Sequence, residues 1–128
     1  MKKLQFETDN ATHGLTHARG FAWYTREGLM FEYQVSDSII EVIKSELKEL
    51  FVPYQQIQEI VHKNSWFTGG TIYVQLNSLK NLADIPFLEE TELCLELKRK
   101  HKNAGKEFAV NAQLELSNHR LDQLDEVD

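Results

Sequence analysis

The densest run of chemistry-bearing side chains in this chain is Lys98-Arg99-Lys100-His101-Lys102, followed by Lys106. Cations packed this closely suit an anion, and a helix beginning among them would add its free N–H groups and dipole. Lys98, Lys100, Lys102 and Lys106 are therefore the candidate anion contacts. The plainer reading is a solvated connection whose charges keep a sheet edge soluble. His13 and His17 stand four apart, a spacing that would put both rings on one helix face and suit a metal. Gly14 lies between them, however, and no helical pattern or third ligand accompanies them. Cys94 has Glu92 and Glu96 as near neighbours, which would raise a thiol's pKa rather than activate it. Glu89, Glu90 and Glu92 are too close in sequence to face each other across a cleft. Gly69-Gly70 reads as a turn, not a phosphate cradle. No catalytic residue, cofactor site or metal site is assigned from these patterns, and a non-enzyme is expected.

The elements that must position these groups belong to one domain, since 128 residues suffice for a single hydrophobic core. A net charge of −6 argues against general nucleic-acid binding and against a broad basic membrane-facing surface. No apolar stretch approaches the ~20 residues of a membrane span. After Met1-Lys2-Lys3 neither an apolar segment nor a small-residue cleavage site follows, so no signal peptide is expected. One cysteine excludes an internal disulfide and fits a reducing cytoplasm.

Residues 1–16 hold no steady period and are read as a flexible arm. From Arg19 to Arg26 the chain alternates, with Phe21 and Trp23 on one side, and Leu29 to Val35 alternates again after the Glu27-Gly28 turn signal. Two such runs make a hairpin. Ile57 to Asn64 and the Ile72, Val74, Leu76 run read as strands separated by a turn over Trp66-Phe67-Thr68-Gly69-Gly70-Thr71. Asn77 to Pro86 is a connection, and Thr91 to Arg99 the clearest strand. Near Asn103, a competent N-cap, the period lengthens from two to between three and four. Phe108, Ala109, Ala112 and Leu116 then form a helical stripe, widened by Val110 and Leu114. The residues from 122 to 128 read as an acidic tail.

Between Ser38 and Leu50 two patterns compete. Ile39, Ile40, Ile43, Leu47 and Leu50 fall at helical spacing behind a Ser38/Glu41 capping box, whereas Lys48 to Tyr54 alternates as a strand. Ile39, Ile40, Val42 and Ile43, with Lys44 beside them, must be buried or must touch a partner. Burial beneath the domain's own core comes first, then self-association, and insertion into a membrane interface last given the acidic balance.

With these elements in order, the chain resembles a group of small bacterial pleckstrin-homology-like proteins. Gly28-Leu29, Glu32-Tyr33-Gln34-Val35, Lys44-Ser45 before Lys48, Val52-Pro53-Tyr54 with Ile57, Ile85-Pro86 and the helix from Ala104 carry the likeness. It implies a mainly β fold with a C-terminal α-helix: a barrel of about seven antiparallel strands in two packed sheets, capped by the helix. The domain would span 17–121, and 38–46 would be a connection with at most one helical turn. The absent catalytic constellation and the apolar 39–43 cluster point instead to an interaction module that binds protein or self-associates, with an anionic ligand or lipid head group near the 98–106 basic segment as the alternative. The resemblance would place a head group at the first hairpin, read here as Thr25-Arg26-Glu27-Gly28. That turn sets one base beside one acid and departs from the multi-cation pattern.

Overall fold

The computed structural model describes residues 2–11, 16–37, 46–82 and 84–126. Eight strands precede one long helix: β1 (Leu4–Ala11), β2 (Thr16–Tyr24), β3 (Gly28–Asp37), β4 (Lys48–Pro53), β5 (Ile57–Lys63), β6 (Thr71–Leu76), β7 (Leu88–Glu89), β8 (Glu92–Glu96) and α1 (Lys102–Glu126). They form a single antiparallel sheet in the order β4-β3-β2-β1-β8-β6-β5, with β7 paired on β8. The sheet is open, with β4 and β5 as its ends. Its two halves meet at β1 and β8, which share one registered pair, Glu7 with Glu96.

Alternation explains which face of each strand is inside. Along β3, Leu29, Phe31 and Tyr33 are buried while Met30, Glu32 and Gln34 are half-covered on the other face. β6 repeats the pattern with Ile72, Val74 and Leu76 inside. The turn between β2 and β3 is closed by its own first residue. Thr25 Oγ1 donates to the Gly28 carbonyl at 3.0 Å and accepts the amides of Glu27 and Gly28, each at 3.1 Å. Tyr54 then ties this turn to the body, its hydroxyl donating to the Thr25 carbonyl at 2.5 Å.

Phe87 fills the centre of the core. Its ring lies 5.1 Å from that of Phe6, 5.4 Å from Phe31 and 5.2 Å from Tyr33. Edge-on and tilted approaches of this kind match negative ring faces to positive ring edges. Helix α1 lies along β5 with Phe108, Ala109, Ala112 and Leu116 buried. Two alanines in the stripe let the helix approach closely, and no proline interrupts it.

Several expectations are corrected. The arm expected over 1–16 is, from Leu4 to Ala11, the strand β1 in the middle of the sheet, with Leu4, Phe6 and Thr8 buried. Its alternation was hidden because the inward set includes a threonine. Instead of two packed sheets, one continuous open sheet is found. The acidic tail expected from 122 is helical through Glu126, and Asn103 lies inside the helix rather than at its cap. Val110 and Leu114 are 68% and 57% exposed, since at about 100° per residue both point away from the arc of Phe108, Ala109, Ala112 and Leu116. Lys48 to Pro53 is a strand, while residues 38–45 lie outside the described residues.

Candidate functional site

Trp66 and Phe67, adjacent at the tip of the β5–β6 hairpin, are 91% and 89% exposed. Large aromatic side chains are normally covered, so an adjacent pair left in water on a turn marks a candidate contact surface. The turn that carries them is tightly built. Ser65 Oγ accepts the Phe67 amide at 3.3 Å, and Thr68 Oγ1 accepts the Gly70 amide at 3.0 Å. A ring nitrogen of His62, Nε2, sits 2.8 Å from the Gly69 carbonyl.

Two backbone hydrogen bonds clamp this turn to the end of β8. Gly69 N donates to the Leu97 carbonyl at 2.8 Å, and Leu97 N to the Gly70 carbonyl at 3.0 Å. The approach requires glycine: a Cβ on Gly69 would lie 2.2 Å from the Lys98 carbonyl oxygen. Gly70 has a φ of +87°, a left-handed conformation that costs glycine nothing. The clamp brings the basic run beside the aromatic tip. An open recess of about 490 Å³ is lined by Asn64, Ser65, Trp66, Thr68, Arg99 and Lys102. On the Phe67 side a second recess, about 290 Å³, includes Lys98 and Arg99 together with Glu7 and Glu96.

Charge is sorted along the chain at this end. Residues 63–71 and 97–106 hold six of the fourteen Lys and Arg residues and none of the twenty Asp and Glu residues. The cations are posted by a short 3₁₀ turn, Arg99–His101, from which α1 starts at Lys102 with no acid in its first turn. Of the expected anion contacts, Lys98 and Lys102 are therefore placed against the tip, and Lys106 follows Lys102 one helical turn on. Arg99 lines both recesses. Trp66 and Phe67 carry no site expectation from the sequence. Their signal was two large aromatics inside a turn, where no strand face needs them.

The other candidates fall in separate places. Ile39, Ile40, Val42, Ile43 and Lys44, the expected partner contacts, lie outside the described residues, as does His13. His17 Nε2 is 3.1 Å from Ser36 Oγ, a cross-strand hydrogen bond between registered neighbours on β2 and β3. Cys94 is 7% exposed, and its thiol donates to Glu89 Oε2, on the neighbouring β7, at 3.6 Å. Burial, then the Glu89 and Glu92 charges, push this thiol up to about 12, which favours its protonated form at neutral pH. Among the described residues no three of His, Cys, Asp and Glu converge as metal ligands.

With β1 in place, Thr25–Gly28 joins the second and third strands, and the first hairpin's connection, 12–15, lies outside the described residues. A polar recess near Arg26, Glu115, Asn118, His119 and Asp122 offers two carboxylates and an imidazole. No hydrogen bond joins His119 to either acid. A smaller cavity of about 140 Å³ opens among Lys2, Lys3, Tyr24, Glu107, Phe108 and Asn111. Its rim is crossed by an exposed Lys2–Glu107 pair at 3.9 Å, too solvated to organise a ligand.

On the outer sheet face Trp23, Met30 and Phe51 stand in one cross-strand row, reaching the β4 edge. Lys3 Nζ covers Trp23 at 4.4 Å from the ring centre, and Phe51 is 45% exposed. No helix among the described residues is long and apolar enough to cross a membrane. No protein-family model matches this chain, and neither does any curated protein or solved structure.

Proposed function

We propose that this chain is a non-catalytic interaction module of pleckstrin-homology-like topology that docks through the β5–β6 tip. Support for the topology comes from the strand order β4-β3-β2-β1-β8-β6-β5 followed by a helix laid on β5. The docking reading is carried by one observation: Trp66 and Phe67 stand almost fully in water on a turn clamped beside Arg99 and Lys102. Preorganised aromatics flanked by arginine are the composition of contact hot spots. A photo-crosslinking amino acid in place of Phe67, in intact cells, is expected to form adducts that the same group at the exposed Leu114 does not. Equal labelling from both positions would overturn the proposal.

A second reading, self-association, is favoured by the Trp23–Met30–Phe51 row ending at β4, an edge strand among the described residues. It also takes in the apolar 39–43 segment. Light scattering across a concentration series, with Ile40→Lys and Phe51→Glu beside the native chain, tests it. A native oligomer dissociated by either substitution supports self-association; a monomer at every concentration removes it.

A further inference from the structure

We infer that the outer side of α1 is a two-heptad coiled-coil seam, and that its occupant is the same seam of a second copy of this chain, lying parallel to it. This surface is separate from the Trp66–Phe67 tip and from the β4 edge.

Val110, Leu114, Ser117, Leu121 and Leu124 recur at spacings of four, three, four and three. That is the repeat by which two α-helices wind around each other with a left-handed twist. At about 100° per residue, all five fall within about 40° of Val110, whereas Ala112 and Leu116 lie about 200° and 240° round the helix. The sheet therefore holds one side of α1 and leaves the seam in water. Leu121 and Leu124 are 59% and 67% exposed, much as Val110 and Leu114 are. Among the described residues, four of the ten large exposed hydrophobics stand in this one row. Scattered exposed leucines are ordinary; a row of them in register is a contact face.

The charges beside the seam select the occupant. With Leu114 and Leu121 at heptad position a, and Val110, Ser117 and Leu124 at d, the g positions are Lys106, Gln113 and Arg120. The e positions are Asn111, Asn118 and Asp125. In a parallel pair each g residue faces the e residue five places on in the other helix. Lys106 then meets Asn111, Gln113 meets Asn118, and Arg120 meets Asp125 of the second copy. No like charges oppose, and two-fold symmetry makes the Arg120–Asp125 pair twice. Antiparallel pairing centred on Ser117 sets Arg120 against Gln113 and Asp125 against Asn111, so neither charge gains an opposite. The chain is thus complementary to itself in one orientation.

From Val110 to Leu124 the seam is about 21 Å long, too short to hold two free helices together. This helix is already formed and its rotation already set. Gln113 holds the Ile60 amide at 2.9 Å, and Arg120 Nη2 holds the carbonyls of Ile57 and Gln58. Association therefore orders little new, and the guanidinium has further donors for a carboxylate. Ser117 sits at the middle of the seam. A polar residue there fixes the register at a cost in affinity, so the pair is weak.

Sedimentation equilibrium of the full chain across a concentration series tests the pairing. The expected result is a monomer–dimer equilibrium with a dissociation constant on the order of 10–100 μM. Leu121→Glu should weaken it roughly a hundredfold, since two buried leucines become two facing charges. Ser117→Leu should tighten it roughly tenfold. Both variants should keep the native circular dichroism, because neither side chain belongs to the core. A photo-crosslinking group at Leu114 should join two copies, an adduct of twice the chain's mass that the tip position does not form.

Orientation is read from disulfides in a Cys94→Ala background. Oxidised glutathione should convert Leu124→Cys to a covalent dimer. Val110→Cys joining Leu124→Cys in preference to either joining itself would overturn the parallel pairing. The dimer itself is overturned by a native monomer at every concentration, or by a dimer that Leu121→Glu leaves intact. A dimer dissociated by Phe51→Glu instead belongs to the β4 edge and removes the seam. Crosslinks from position 67 do not depend on any of these results, so the tip and the seam stand or fall separately.

Discussion

Gln113 Oε1 accepts the backbone amide of Ile60 at 2.9 Å, so a helix side chain completes the hydrogen bonding of a sheet edge. Arg120 extends the same cover, donating to the carbonyls of Ile57 at 3.1 Å and Gln58 at 2.6 Å. Strand β5 ends the sheet, and an unpaired edge is a template for unwanted pairing. Here α1 fills that role with two polar side chains placed seven residues apart, two helical turns along one face. The buried Ala112 and Leu116 beside them hold the register of helix on strand.

Removing this cover should cost stability in a graded way. Gln113→Leu leaves the Ile60 amide without its acceptor and is expected to destabilise by about 1–2 kcal/mol. Arg120→Ala, at a more exposed position, should cost about 1 kcal/mol or less. Urea unfolding of the two variants and the double mutant measures both. A Gln113→Leu midpoint equal to the native one would show that the amide finds water instead.

Phe87 should be the most costly aromatic to truncate. Its ring touches Phe6, Phe31 and Tyr33, which come from β1 and β3 on the opposite half of the sheet. Phe87→Ala is expected to cost about 3–5 kcal/mol, and Phe87→Leu clearly less. Thermal unfolding ranks them; an alanine cost under about 1 kcal/mol would show that the site collapses without strain.

Cys94 makes a prediction in pH. Burial first, then Glu89 and Glu92, raise the folded thiol from 9.0 to about 12. The folded state therefore favours the proton. That contribution is whole below pH 9.0 and is lost as pH rises from there toward about 12. Replacing Cys94 with Ala should flatten the fall of stability between pH 9 and 10, before the tyrosines Tyr33 and Tyr54, which burial raises above 10.0, contribute. Iodoacetamide at pH 8 should label native Cys94 on the order of a hundredfold or more slowly than the urea-unfolded chain. Equal labelling rates would refute this account.

Gly69→Ala should loosen the clamp without touching the aromatic pair. A methyl group there meets the Lys98 carbonyl, so the hairpin turn must lift from β8. The expected cost is about 1–3 kcal/mol, with faster amide exchange at Gly69 and Leu97. Protection unchanged at both amides would place the strain elsewhere.

Much of the β framework was legible from local pattern. The alternation of Leu29, Phe31 and Tyr33, or of Ile72, Val74 and Leu76, is a period-two signal that only a half-buried strand explains. The helix was legible for a similar reason, since Phe108, Ala109, Ala112 and Leu116 recur at its period. Where the inward set mixes types, as in Leu4, Phe6 and Thr8, the period fades and β1 was missed although it is central. The exposure of Val110 and Leu114 likewise depended on which arc of α1 met the sheet.

Composition and spacing by themselves determined a mainly antiparallel chain ending in one helix, with a basic run between the last strand and that helix. Those are local properties, set by side-chain period and by charge adjacent in sequence. Only the tertiary structure decided that β1 joins the two halves of the sheet, that Gln113 and Arg120 guard β5, and that Trp66 stands beside Arg99 and Lys102. Each is a meeting of residues far apart in sequence, chosen by which apolar faces could be buried together and which backbone groups still needed partners. Sequence spacing holds no record of that choice until the chain has closed on its core.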